Sequence, residues 1–90
     1  MELRQQQRRR VLKGATIISN NQSELSCLIR NQSADGAELK ISPEMQVPSA
    51  FRLYVPTDGV AYNCELIWRR GERAGVRLMG TGPKPRFHYG

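Results

Sequence analysis

The chain has 90 residues, 39% of them hydrophobic and 24% charged, with a formal net charge of +6. A length of this order allows one domain and excludes a second core or a deep interdomain cleft. The composition excludes an intrinsically disordered chain, and no apolar run approaches the roughly 20 residues of a membrane-spanning helix.

The charge is unevenly placed. Residues 1–13 hold Arg4, Arg8, Arg9, Arg10 and Lys13 against Glu2, a net of +4, which leaves +2 for the rest of the chain. Residues 1–10 have no apolar periodicity and read as a flexible basic arm. Such an arm serves to bind anions or nucleic acid, or is a plain solubilising tail. Its charges leave no place for the apolar stretch of a signal peptide, so a cytoplasmic location is expected.

From Val11 onward the sequence predicts strands separated by turns. Ala15-Thr16-Ile17-Ile18 is a β-branched run closed by Ser19-Asn20-Asn21-Gln22-Ser23. Glu24 to Arg30 alternates, with Leu25, Cys27 and Ile29 on one face. Gly36 to Ile41 alternates again through Ala37, Leu39 and Ile41, and Ser42-Pro43 ends it. Phe51, Leu53 and Val55 form the next inward set, with Arg52 and Tyr54 outward, before the Pro56-Thr57-Asp58-Gly59 turn. Tyr62, Cys64, Leu66 and Trp68 make the longest alternating run, which places Trp68 in the core. Arg70-Gly71-Glu72-Arg73 then turns the chain into Gly75-Val76-Arg77-Leu78-Met79.

Period-2 runs with turns between them predict an all-β barrel or sandwich of about six strands over residues 11–79, with no substantial helix. Residues 80–90, with two prolines and three glycines, read as a flexible C-terminal tail. Cys27 and Cys64 fall inside apolar strand patterns and are expected as reduced, buried thiols.

Two short stretches carry chemistry. Arg4-Gln5-Gln6-Gln7-Arg8 spaces two guanidiniums four residues apart, with Arg9 and Arg10 behind them. A guanidinium suits a phosphate because its planar fork donates two parallel charge-assisted hydrogen bonds. Asn31-Gln32-Ser33-Ala34-Asp35-Gly36 sets an amide, a hydroxyl and a glycine in a turn between two strands. This turn has two readings. In one, Asn31 and Ser33 cap local backbone groups and Gly36 supplies a backbone angle closed to other residues. In the other, Asn31 and Ser33 address a base edge with both donors and acceptors, and Gly36 admits the ligand to the backbone. A phosphate reader beside a base reader points to a nucleotide.

The pairing of RQQQR with NQSADG resembles the two-part signature of the PilZ domain, RxxxR followed by [D/N]xSxxG. The resemblance runs from about Arg4 to Met79. It includes Arg8 to Gly14 leading into the first strand and Trp68-Arg69-Arg70-Gly71 before Gly75-Val76-Arg77-Leu78. It implies a six-stranded antiparallel β-barrel that binds the bacterial second messenger cyclic di-GMP without catalysis and signals to a partner protein. By the same resemblance Arg4 and Arg8, with Arg9 beside them, contact phosphates and guanine faces. Asn31 and Ser33 contact a guanine, and Gly36 is the close-approach position. Two features depart from the pattern: Asn31 stands where Asp is commoner, and no helix follows the last strand.

No metal, cofactor or catalytic group is expected. His88 is the single histidine, the two cysteines are far apart, and neither a nucleophile elbow nor a phosphate-binding loop occurs. Arg69, Arg70 and Arg73 read as a solvated hairpin tip. Two alternatives stand beside the cyclic di-GMP receptor. One is a basic β-barrel that binds single-stranded nucleic acid, for which Tyr54 is the one candidate stacking aromatic. The other is a PilZ-like adaptor that binds no nucleotide.

Overall fold

The computed structural model describes residues 9–21 and 23–82. Six strands follow in order: β1 (Arg9–Ile18), β2 (Glu24–Gln32), β3 (Gly36–Lys40), β4 (Ala50–Val55), β5 (Val60–Arg70) and β6 (Arg73–Gly82). All pairings are antiparallel, and no helix occurs among the described residues. Strand β1 begins at Arg9, inside the stretch read as arm, and β6 runs past Met79 to Gly82.

The strands are hydrogen-bonded in the order β1-β2-β3-β6-β5-β4, and β4 returns to β1 to close the ring. That closing seam is short, Thr16 to Ile18 against Arg52 to Tyr54. Closure removes the sheet edges that would otherwise present unpaired backbone. Apolar alternation explains why these residues fill the interior. Ile17, Ile29, Leu39, Leu53 and Val55 are the largest fully buried aliphatic side chains, and no polar side chain joins them among the described residues. Each contributes roughly 1.5–3 kcal/mol by leaving water.

Cys27 and Cys64 are free and buried. Burial pushes both thiols up to about 12, with Cys27 adding to the shift at Cys64. Two tight turns rest on glycine in the left-handed region, Gly59 at φ 71° and Gly71 at φ 54°.

Trp68 corrects the alternation read from sequence. It is 43% exposed and lies on the outer face. The two-residue turn fixes the register: Arg70 opposes Arg73, Arg69 opposes Ala74 and Trp68 opposes Gly75. The next pair is Leu66 with Val76, so Ile67 is the extra residue of a bulge. One inserted residue reverses the faces beyond it. Leu66 packs on the core while Trp68 turns outward over Gly75, where a Cβ would collide with its indole nitrogen.

The far end of the ring is tied by one side chain. The Arg69 guanidinium donates to the carbonyls of Met45 (2.8 Å), Gly71 (3.0 Å), Ser42 (3.2 Å) and Pro43 (3.2 Å). It is therefore a clamp on the 41–49 connection and not part of a solvated tip. No helix among the described residues is long and apolar enough to cross a membrane.

Candidate functional site

Backbone register brings the start of β1 to the 31–36 turn. Arg9 pairs with Gln32 and Arg10 with Asn31. Arg4 and Arg8 lie outside the described residues. The two residues that follow RQQQR thus pair with the start of the NQSADG turn.

Within the turn, Ser33 is the residue that shapes the backbone. Its N–H donates to the Gly36 carbonyl at 2.8 Å, and its hydroxyl lies 3.5 Å from that carbonyl and 3.4 Å from Asp35 Oδ1. The Leu78 N–H donates to the Asp35 carbonyl at 3.0 Å, which ties the turn to β6. Gly36 is not among the glycines with positive φ. It is a buried strand residue opposite Arg77, so glycine is not required there by an unusual backbone angle.

The Asn31 side-chain amide reaches across the strands. Asn31 is a strand residue, and that amide donates to Glu38 Oε1 at 3.1 Å across the β2–β3 pairing. Arg73 in turn places a guanidinium nitrogen 3.2 Å from Glu38 Oε2. The bond to Glu38 orients the Asn31 amide, because a donating nitrogen at one end fixes where its carbonyl oxygen points. Cross-strand register extends this row over the outer face through Asn31, Glu38, Gly75 and Trp68, with Arg10 at the register position opposite Asn31. With strands about 4.8 Å apart, Asn31 and Trp68 stand about 14 Å apart along it. Oriented amide, carboxylate and exposed indole thus share one surface.

Gln32, between Asn31 and Ser33, faces the other way. It pairs with the buried Ala37, and its Oε1 accepts from Lys13 Nζ at 3.1 Å. Lys13 also meets Asp58 Oδ1 and Oδ2 at 2.9 and 3.2 Å, and the Tyr62 hydroxyl donates to Asp58 Oδ2 at 2.7 Å. Burial raises the Asp58 carboxyl, but the Lys13 and Tyr62 hydrogen bonds outweigh it and hold the group below its ordinary value. Burial and the neighbouring carboxylate raise the Tyr62 hydroxyl.

Sequence reasoning missed Glu38, Trp68 and the Lys13–Asp58–Tyr62 group. A signal for Trp68 was present, since counting back from the Gly71-Glu72 turn sets the indole opposite a glycine. No cluster of His, Cys, Asp and Glu among the described residues forms a metal site. The outer row offers an aromatic face for stacking and an amide for a hydrogen-bonding edge.

A search of curated proteins finds no match. Residues 2–86 match the PilZ domain, a span that contains RQQQR, NQSADG and all six strands. The chain belongs to the PilZ domain family.

Proposed function

We propose that this chain is a cyclic di-GMP receptor domain that works in the bacterial cytoplasm by binding, not catalysis, and passes the signal to a partner protein. The observation that carries the reading is the Arg9–Gln32 and Arg10–Asn31 register, which joins the arginine stretch to the NQSADG turn. In this reading the six-stranded ring is a rigid barrel scaffold and the arm is its moving part. Arg4, Arg8 and Arg9 hold phosphates and guanine faces, Asn31 and Ser33 contact a guanine edge, and Gly36 admits the ligand to the backbone. Trp68 adds a stacking surface at the other end of the outer row, since base–aromatic stacking contributes about 1–3 kcal/mol. Ordering the arm costs roughly 1–2 kcal/mol per residue, which charge-assisted bonds of about 1.5–3 kcal/mol each offset. Micromolar affinity, about −8 kcal/mol, is the expectation for such a site.

Calorimetric titration with cyclic di-GMP, with GMP as control, tests the reading. Micromolar binding with at least tenfold preference over GMP is expected, and Arg8→Ala is expected to weaken it more than Arg70→Ala. Absence of heat at ligand concentrations far above micromolar contradicts it. Exposed Trp68 on a chain with a basic N-terminal stretch gives one observation to a second reading, single-stranded nucleic acid. A groove for a single strand stacks successive bases on successive aromatics, and this face presents one indole. A short DNA oligomer that outcompetes cyclic di-GMP would decide for that second reading.

A further inference from the structure

The polar group at the site end of the ring is unusual in its composition. It is built from four side chains on four separate segments: Lys13 in β1, Gln32 in β2, Asp58 in the β4–β5 turn and Tyr62 in β5. Lys13 and Asp58 are 45 residues apart in sequence, and their side chains are only 24% and 21% exposed. Lys13 reaches this position because β1 bulges between Arg10 and Lys13, so that Val11 and Leu12 together oppose Arg30 alone. The bulge re-aims β1: on one side of it Lys13 points to the ring's end, on the other the backbone of Arg9 and Arg10 pairs with Gln32 and Asn31. Gln32 is the middle residue between the two proposed ligand contacts, and it is bound to the same Lys13.

From this geometry we infer that Lys13 and Asp58 are positioning residues for ligand binding: through Gln32 and the β1 bulge they fix where the arm enters the sheet and where the 31–36 turn stands. The inference rests on the cyclic di-GMP reading for its ligand, but the mechanical link does not. A long amine held by one carboxylate and one amide is a tether between three segments. Cutting it frees the β1 bulge to shift, and a one-residue slip changes which β1 backbone groups stand opposite Gln32 and Asn31. Neither Lys13 nor Asp58 lies on the outer row, so each acts through Gln32 and the strand and not on the ligand.

The test compares Lys13→Met, Asp58→Asn and the conservative Lys13→Arg with Phe51→Leu, a core change in β4 chosen to match their loss of melting temperature. Two quantities are read: the cyclic di-GMP Kd by calorimetry, and amide hydrogen exchange at Ser33 and Leu78 in ligand-free protein, whose N–H groups hold the turn. Lys13→Met and Asp58→Asn are expected to raise Kd and speed both exchange rates on the order of tenfold, the equivalent of about 1.4 kcal/mol. Lys13→Arg is expected to stay within about threefold of the parent, and Phe51→Leu to leave Kd and the Ser33 rate at parent values. Unchanged exchange at Ser33 in Lys13→Met, or equal changes in Phe51→Leu, overturns the inference. If the parent protein does not bind cyclic di-GMP, the ligand reading fails by itself, and the exchange comparison still decides the positioning role.

Discussion

The two ends of the ring are held together in opposite ways. At the far end Arg69 clamps the 41–49 connection through three of its backbone carbonyls and holds the Gly71 carbonyl of its own hairpin turn as a fourth. At the site end Lys13, Gln32, Asp58 and Tyr62 hold one another through side chains. A carbonyl clamp depends on one residue and tolerates almost any sequence in the loop it grips. A side-chain network depends on every member, because losing one leaves the others with unpaired polar atoms. The first arrangement suits a part that only has to stay closed, and the second a part whose geometry is matched to a ligand.

Breaking the far clamp is expected to give the largest stability change and the smallest functional one. Arg69→Ala removes charge-assisted bonds to four carbonyls, and about 2 kcal/mol of stability should go with it, roughly 8–16 °C in melting temperature. Cyclic di-GMP affinity should stay within about twofold, since Arg69 pairs with the inward-facing Ala74 and is not on the outer row that carries Trp68. A large affinity loss would show that the two ends are not independent.

Gly75→Val tests the outer row. The added side chain meets the Trp68 indole and forces it off the sheet. Overpacking of this kind costs about 1–3 kcal/mol. Trp68 is the single tryptophan, so its emission should shift to the red as the ring enters water, with weaker ligand binding. An unshifted spectrum would contradict the packing of Trp68 on Gly75.

Acid should act on the site end more than on the far end. The folded Asp58 carboxyl titrates below its ordinary value, so its contribution is present above about pH 4, near the unfolded value, and is lost as pH falls through the depressed one. A partly exposed pair contributes at most about 1 kcal/mol. Chemical denaturation of the parent and Asp58→Asn proteins between pH 6 and 2 checks this. The variant's stability should fall less steeply below pH 4, and parallel curves would contradict the assignment.

Much of this fold was legible because stretches of β2, β3 and β4 alternate without interruption. Cys27 and Ile29, Ala37 and Leu39, and Phe51, Leu53 and Val55 all face inward as the period-2 pattern requires. Alternation failed where a bulge intervened. Ile67 turned Trp68 outward, and the register shift between Ile29 and Asn31 left Asn31 facing Glu38. A bulge is a property of the pair of strands, so neither strand alone announces it. The site was legible in part for the same reason. NQSADG is contiguous and shows its turn chemistry locally, with Ser33 in the shaping role. The Asn31–Glu38 bond requires knowing the β2–β3 register, and the Lys13–Asp58 pair joins segments that no local pattern connects.

The central claim is that cyclic di-GMP binds where the start of β1 meets the 31–36 turn. Backbone amide chemical shifts of the isotope-labelled protein, followed through a cyclic di-GMP titration, test it at both ends of the ring at once. The largest shifts are expected at Asn31 to Gly36 and at Arg9 and Arg10, with a further change at the Trp68 indole N–H and little at Ser42 to Val47. Shifts concentrated at Ser42 to Val47, or no shifts at saturating ligand, would contradict the claim.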